Sequence, residues 1–294
     1  MNTVRLLDNF YSTPWAIADG HLKFIESALI SAVENKDEKA LEVLNAKKAN
    51  IRNVEGNIAV VPIRGAIGHR SSFLSEYFGW PSTEKLSQDI SSLASDSSVG
   101  GIVLDIDSPG GMAVGNQELH DVMMSIRGSK PIIAVANGMA ASAAYYIASA
   151  ADKIAITPSG EVGSIGTVMV HADMSQVYKN AGIDITVIKA GKYKWEGNSY
   201  EPLSDEAKAN LQDNVNRHYD MFVNAVAVGR GVSKSKVKND FGEGRMVAAQ
   251  QSVDVGMTDE VATLQQVLER MTGKKKKKTY SAEMYALKTR QLSL

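Results

Sequence analysis

Residues 131–148 read Pro131-Ile-Ile-Ala-Val-Ala-Asn137-Gly138-Met139-Ala-Ala-Ser142-Ala143-Ala-Tyr145-Tyr-Ile-Ala148. Ile132 to Ala136 is a short apolar run with the branching of a buried strand. Asn137-Gly138 breaks it. Met139 to Ala151 then joins small residues to good helix formers, which predicts a helix. Ser142 falls in its first turn, near unpaired backbone N–H groups that favour negative charge at the hydroxyl. The same position suits a capping serine, the commoner use. Partners elsewhere in the chain must decide between the two.

Moving outward, Gly101 to Ile106 reads as a second strand, ended abruptly by Asp107-Ser-Pro-Gly110-Gly111. Ile58 to Ile63 reads as a third, at an edge because of Pro62. Ser82 caps a helix with Leu86, Ile90 and Leu93 on one face. Leu119, Val122, Met123 and Ile126 mark another. Downstream, short strands are expected at Lys153–Ile156, Val168–Val170 and Ile183–Ile188, with a helix near Met174–Asn180 and a loop from Ala190 to Gly197. Ser204 caps a long helix with Asp205 and Glu206 in its first turn. Its stripe runs through Ala207, Leu211, Val215, His218, Phe222 and Val226. A last helix lies near Ala262–Met271.

Strands separated by single helices predict an α/β fold with a mainly parallel sheet. The carboxyl ends of the strands then share one edge, and the loops after Ile106 and Ala136 meet at one crevice. That topology sets Gly110-Gly111 beside Ser142.

Residues 1–53 read as an N-terminal helical arm. Leu22, Ile25, Leu29 and Val33 form one apolar stripe, and Asp37 to Lys48 a second, more charged helix. Trp15, after Pro14, is a candidate anchor. The chain thus divides into the arm 1–53, a body 54–272 and a basic tail 273–294. The loop from Gly65 to Pro81 carries Phe73, Leu74, Tyr77, Phe78 and Trp80. With the arm, it offers apolar surface that predicts a homo-oligomer.

Composition narrows the chemistry. Hydrophobic residues make up 44% and charged residues 22%, an ordinary globular balance. The absence of cysteine excludes disulfides, thiol catalysis and zinc–thiolate sites. Five scattered histidines (His21, His69, His120, His171, His218) lack metal-ligand spacing, so no metal is expected. No apolar run reaches the ~18 residues of a membrane helix. The N-terminus also lacks a secretory apolar core, so a cytosolic protein without membrane contact is expected. Net charge is -1, but the segment from Lys274 onward carries seven basic residues and one acidic. The acidic remainder argues against nucleic acid on the body. The run Lys274–Lys278 is either a solvated end or a handle for DNA or acidic protein.

An acyl-transfer site needs a nucleophile, a base and an oxyanion hole. A glycine pair at a strand end can present backbone N–H groups closely. The base is not legible from spacing alone. No histidine lies in a glycine-rich loop, and a lysine serves only when burial lowers its pKa from about 10.4 toward neutrality.

Four ordered motifs, Asp107-Ser-Pro-Gly-Gly-Met112, Ala141-Ser142-Ala143, Gly163-Ser164-Ile-Gly166 and Ala190-Gly-Lys-Tyr-Lys194, resemble those of the Ser–Lys peptidases of the signal peptide peptidase A family. Val170-His171 and Gly197-Asn-Ser-Tyr200, followed by Leu203, are similar to its phage prohead (capsid maturation) protease branch. The resemblance covers residues 54–265. It implies a Clp protease/crotonase-like β-α-β spiral, with Ser142 as nucleophile and Lys194 as base. Ser164 would orient the lysine, and the N–H groups of Gly111 and Ala143 would form the oxyanion hole. Many cellular members carry a glycine pair where this chain has Ala143-Ala144; alanine keeps the N–H. The implied activity is that of a cofactor-free serine endopeptidase acting on phage scaffold and head proteins, in the host cytoplasm or inside the procapsid. The rival readings are a cytosolic housekeeping peptidase, a crotonase-type acyl-CoA enzyme using glutamate, and an inactive capsid or scaffold component.

Overall fold

Isoleucine, valine and alanine runs form the strands of a central sheet in the computed structural model, which describes residues 10–11, 13–18, 20–23, 25–27, 30, 52–54, 56–70 and 79–273. The strands are β1 (Trp15–Ile17), β2 (Arg52–Val54), β3 (Ile58–Arg64), β4 (Gly101–Ser108), β5 (Gly110–Met112), β6 (Ile132–Ala141), β7 (Lys153–Ile156), β8 (Glu161–Gly163), β9 (Met246–Ala248) and β10 (Glu260–Val261). The main sheet runs β10-β7-β6-β4-β3-β2, with β8 on the far half of β6 and β9 on β8. From β3 to β10 along that order every pairing is parallel; β2 and β9 join antiparallel. This is the expected α/β fold with a mainly parallel sheet.

Both faces of the sheet are covered, so its central strands are apolar on both sides. Ile102, Leu104 and Ile106 of β4 point into the larger core layer. That layer is built with α1 (Thr83–Ser95), α2 (Asn116–Ile126), α3 (Ala143–Ala148) and α5 (Asp205–Arg230). Val103 points the other way, against Ile58, Val60, Val135 and Val267. Val267 belongs to α8 (Leu264–Thr272), which starts in a capping box between Thr263 and Gln266. Ser82 and Ser204 cap α1 and α5 as expected, each accepting a backbone N–H at 3.2 Å.

Several boundaries differ from the sequence reading. Asn137-Gly138 does not end its strand: β6 continues to Ala141, because Gly138 takes φ +117 and a register shift absorbs the break. The helix after it is therefore short, Ala143–Ala148, and Ser142 precedes it. β3 is not the edge expected from Pro62: β2 flanks it, pairing with Ile58 to Val60 among the described residues. Val168 makes only an isolated bridge, and Ile183–Ile188 forms no strand. The helix near Met174 is α4 (Ser175–Asn180). In the arm, Trp15 to Ile17 is extended and pairs with β5. Leu29, Val33, Asp37–Lys48, Phe73, Leu74, Tyr77, Phe78 and the tail from Lys274 lie outside the described residues. Among the described residues no helix is long and apolar enough to cross a membrane.

α5 packs closely on the end of α3. Tyr146 stacks on Phe222 at 4.6 Å, and a Cβ on Gly229 would lie 2.2 Å from the Ser149 carbonyl oxygen. His120 of α2 is buried beside Tyr146, ring edge to face, with no hydrogen-bond partner on either nitrogen. Burial holds its pKa below 6.5, with the Asp121 carboxylate opposing.

Two outcomes follow from this junction. Helix propensity alone would make Gly229→Ala stabilising by about 1 kcal/mol, but the clash should reverse the sign, costing about 1–3 kcal/mol in a urea titration. Because His120 is depressed in the folded state, the unfolded chain takes up its proton first as pH falls below 6.5. Stability should therefore drop below that pH, more steeply in the wild type than in His120→Phe. His218, also depressed by burial, contributes the same sign and stays in both proteins.

Candidate active site

Parallel register sets two serines side by side. β6 pairs with β8 at Met139↔Glu161, Ala140↔Val162 and Ala141↔Gly163. Ser142 and Ser164 are the next residues on the two strands. Ser142 N–H donates to the Gly163 carbonyl at 2.7 Å, and Ser164 N–H to the Arg245 carbonyl at 2.9 Å. Both serines have φ of 52°. Ser142 also has ψ -119°, a conformation costly for any residue with a Cβ. It makes a sharp strand-to-helix turn that holds its side chain at the end of the sheet.

Gly110-Gly111 lies against this turn. A Cβ on Gly110 (φ +99) would come within 2.9 Å of the Ser142 Cβ and 2.3 Å of the Ala16 carbonyl oxygen. A Cβ on Gly111 would lie 2.0 Å from the Ile67 carbonyl oxygen. Glycine is thus required at both positions for close backbone approach. One edge of β5 is held by Ile67, through Ile67 N–H to Gly110 C=O (2.9 Å) and Met112 N–H to Ile67 C=O (2.8 Å). Ser108 braces the turn, donating to the Gly65 carbonyl at 2.7 Å and accepting the Gly110 N–H at 3.2 Å. Ala143 opens α3, where first-turn amides have no carbonyl four residues back.

The serine is secluded and unsatisfied. Ser142 is 0% exposed, its Oγ has no hydrogen-bond partner, and its side chain does not cap the helix. A capping role is therefore excluded for it.

Lys194 stands apart. It is exposed and lines an open cavity of about 760 Å³ with Tyr178, Ile185, Val187 and Tyr200. Its sequence neighbours do not seclude it within the described chain. Tyr193 faces solvent, its hydroxyl bonded to Lys192 and Glu206, while Trp195 stacks on Tyr200 at 5.8 Å. The structure thus brings Ser142, Ser164, Gly111 and Ala143 together and leaves Lys194 on an outer loop. Among the described residues no three His, Asp or Glu side chains gather to hold a metal.

One partner of the site was missed in the sequence. Strand β1 lies on the free edge of β5. Its signal, a lone Trp-Ala-Ile after proline, is too short for periodicity to detect.

Comparison with known proteins matches residues 126–278 to the family model Peptidase family S49. The chain is 33% identical over 215 residues to the capsid assembly protease C of Escherichia phage lambda, covering 73% of this chain and 48% of that protein. It is 33% identical over 215 residues to the head-tail preconnector protein GP5 of Enterobacteria phage P21, covering 73% of this chain and 42% of that one. The chain therefore spans less than half the length of these two relatives.

The geometry at Ser142 predicts a stability change opposite to the loss of a cap. Removing a buried hydroxyl that has no partner should make Ser142→Ala more stable than wild type by about 1–2 kcal/mol. A lower thermal midpoint for Ser142→Ala would show that the hydroxyl is satisfied after all.

Proposed function

The chain belongs to peptidase family S49, and from that membership we propose that it is a serine endopeptidase with a Ser142–Lys194 dyad, acting on phage scaffold or head proteins during capsid maturation. The observation that carries the reading is Ser142 itself: a strained, unpartnered hydroxyl packed against a glycine pair. A structural serine gains nothing from such a place, whereas a nucleophile needs a free oxygen and nearby amides.

In this reading Ser142 Oγ attacks the peptide carbonyl and Lys194, as the neutral amine, takes its proton. The tetrahedral oxyanion is held by the Gly111 and Ala143 N–H groups. Collapse breaks the C–N bond, and the lysine ammonium protonates the leaving amine. Water, deprotonated by the same lysine, then hydrolyses the seryl ester. Ser164, next to Ser142 in the register, orients the lysine.

Lys194 must come over Ser142 and lose its water for this chemistry. The segment before it explains how. Ile183, Ile185 and Val187 alternate along it and are well exposed, and Ile188 is 96% exposed. A homo-oligomer that covers this stretch buries apolar surface and lysine together. The arm 1–53, body 54–272 and tail 273–294 would divide anchoring, catalysis and electrostatic contact. The site of action would be the host cytoplasm or the procapsid interior.

The test is kcat/KM against pH with one peptide substrate. Ser142→Ala should be inactive. Lys194→Arg should be as inactive as Lys194→Ala, since a guanidinium with pKa above about 12 cannot serve as base. Ser164→Ala should be slowed about 10–100-fold, because it misorients the base without removing it. Substantial turnover by Lys194→Arg would sink the lysine-base mechanism.

A further inference from the structure

We propose that Trp15–Ile17 is a pseudosubstrate built into the chain, filling the channel in which an extended peptide must lie against Ser142. The inference rests on the serine-peptidase reading above and goes beyond it in assigning the occupant of the channel.

The register carries the argument. β1 runs antiparallel to β5 with Trp15 opposite Met112, Ala16 opposite Gly111 and Ile17 opposite Gly110. The flanking bonds are Ala113 N–H to Pro14 C=O at 3.0 Å and Ala18 N–H to Pro109 C=O at 2.7 Å. In an antiparallel ladder hydrogen-bonded pairs alternate with non-bonded ones. Ala16 and Gly111 are therefore a bonded pair, and the Gly111 N–H faces the Ala16 carbonyl. That amide is the one assigned to the oxyanion hole. The same carbonyl oxygen and the Ser142 Cβ crowd one side of Gly110, at 2.3 and 2.9 Å from where its Cβ would be.

The other edge of β1 is also bonded. Trp15 N–H donates to Val168 C=O and Val168 N–H to Trp15 C=O, both at 2.8 Å. Val168 follows directly on Ser164-Ile165-Gly166-Thr167. The strand is thus held between the segment after the glycine pair and the segment after Ser164. A protein substrate adding as a strand would use these same two edges. With the arm in place, Ser142 is sealed from solvent.

The attachment is built to come away. Only three residues pair with β5. Trp15 and Ile17 pack with Phe10, Ile25 and Ala66 in a cluster separate from the two core layers of the sheet. Trp15 Nε1 donates to the Phe10 carbonyl of the arm itself, at 2.9 Å. Of the three residues only Ala16 reaches the larger core layer, so lifting β1 breaks the small cluster and the contacts of one alanine and leaves the pairings of the main sheet in place.

The test uses the full-length protein with a small fluorophosphonate, reading Ser142 adduct by mass spectrometry, beside cleavage of a peptide substrate. Trp15→Ala, and the milder Ile17→Ala, are compared with wild type after thermal unfolding shows that each is folded. Labelling and kcat/KM should both rise about tenfold or more, since the site opens only for the fraction of time the arm is off. A synthetic peptide spanning Thr13–Gly20 should suppress that gain competitively. Equal labelling of wild type and folded variants would overturn the pseudosubstrate alone. No adduct and no cleavage in any of them would overturn the peptidase reading, and the pseudosubstrate with it. Hydrogen exchange of the wild type needs no variant. The Gly111 amide should exchange faster than those of β4 and β6, through opening of the arm. Exchange only by global unfolding would make β1 a permanent strand and reject the inference.

Discussion

The close approach of Gly110 to Ser142 is the constraint on which the site depends. Without a Cβ at residue 110, the strand end and the serine turn can share one space; with one, the backbone of β5 and the start of α3 would be forced apart. The parallel pairing of β6 with β8 then brings Ser164 alongside, at the same backbone angle. Two serines in a left-handed conformation, one after the other in register, cost stability. The surrounding sheet supplies the rigidity that holds them there, since Ala140, Ala141 and Val162 are fully buried on either side.

A second consequence concerns strand β5. A short strand in the middle of a crevice has two backbone edges, and each carries N–H and C=O groups that must be paired. Ile67 satisfies one edge. The other is satisfied by the arm in the isolated chain and is chemically equivalent to a docking strip for any extended peptide. The glycine pair proposed for the oxyanion hole is also what makes the crevice complementary to the chain's own N-terminal strand.

The opposite imbalance holds around Lys194. Ile183 to Ile188 has the alternation of a strand but no strand partner in the described chain, and its apolar side chains are exposed. The lysine beside it shares that exposure. Its neighbour Lys192 is the one tied down, by Glu206 at 2.9 Å. In the proposed mechanism a homo-oligomer would cover the apolar strip and desolvate the lysine in one event, which would make assembly and the competence of the base one problem rather than two.

Much of this was legible in the sequence because it is local. Alternation of apolar runs with helices specified the parallel sheet, Ser82 and Ser204 at helix starts specified two caps, and Gly110-Gly111 after a strand announced a close approach. The motif-bearing residues Ser142, Ser164 and Gly111 could be named because side-chain type and order are written along the chain. Tertiary structure alone decided the rest. Gly138 carries β6 through an apparent break because a residue without Cβ can take φ +117 inside a ladder. Ser142 is a bare hydroxyl rather than a cap because its backbone, at φ 52° and ψ -119°, lacks the extended conformation of a capping residue. Trp15–Ile17 pairs with β5, and Ile183–Ile188 with no strand of the described chain. Which edge a strand finds depends on unpaired backbone groups far away in sequence, and no local pattern encodes that.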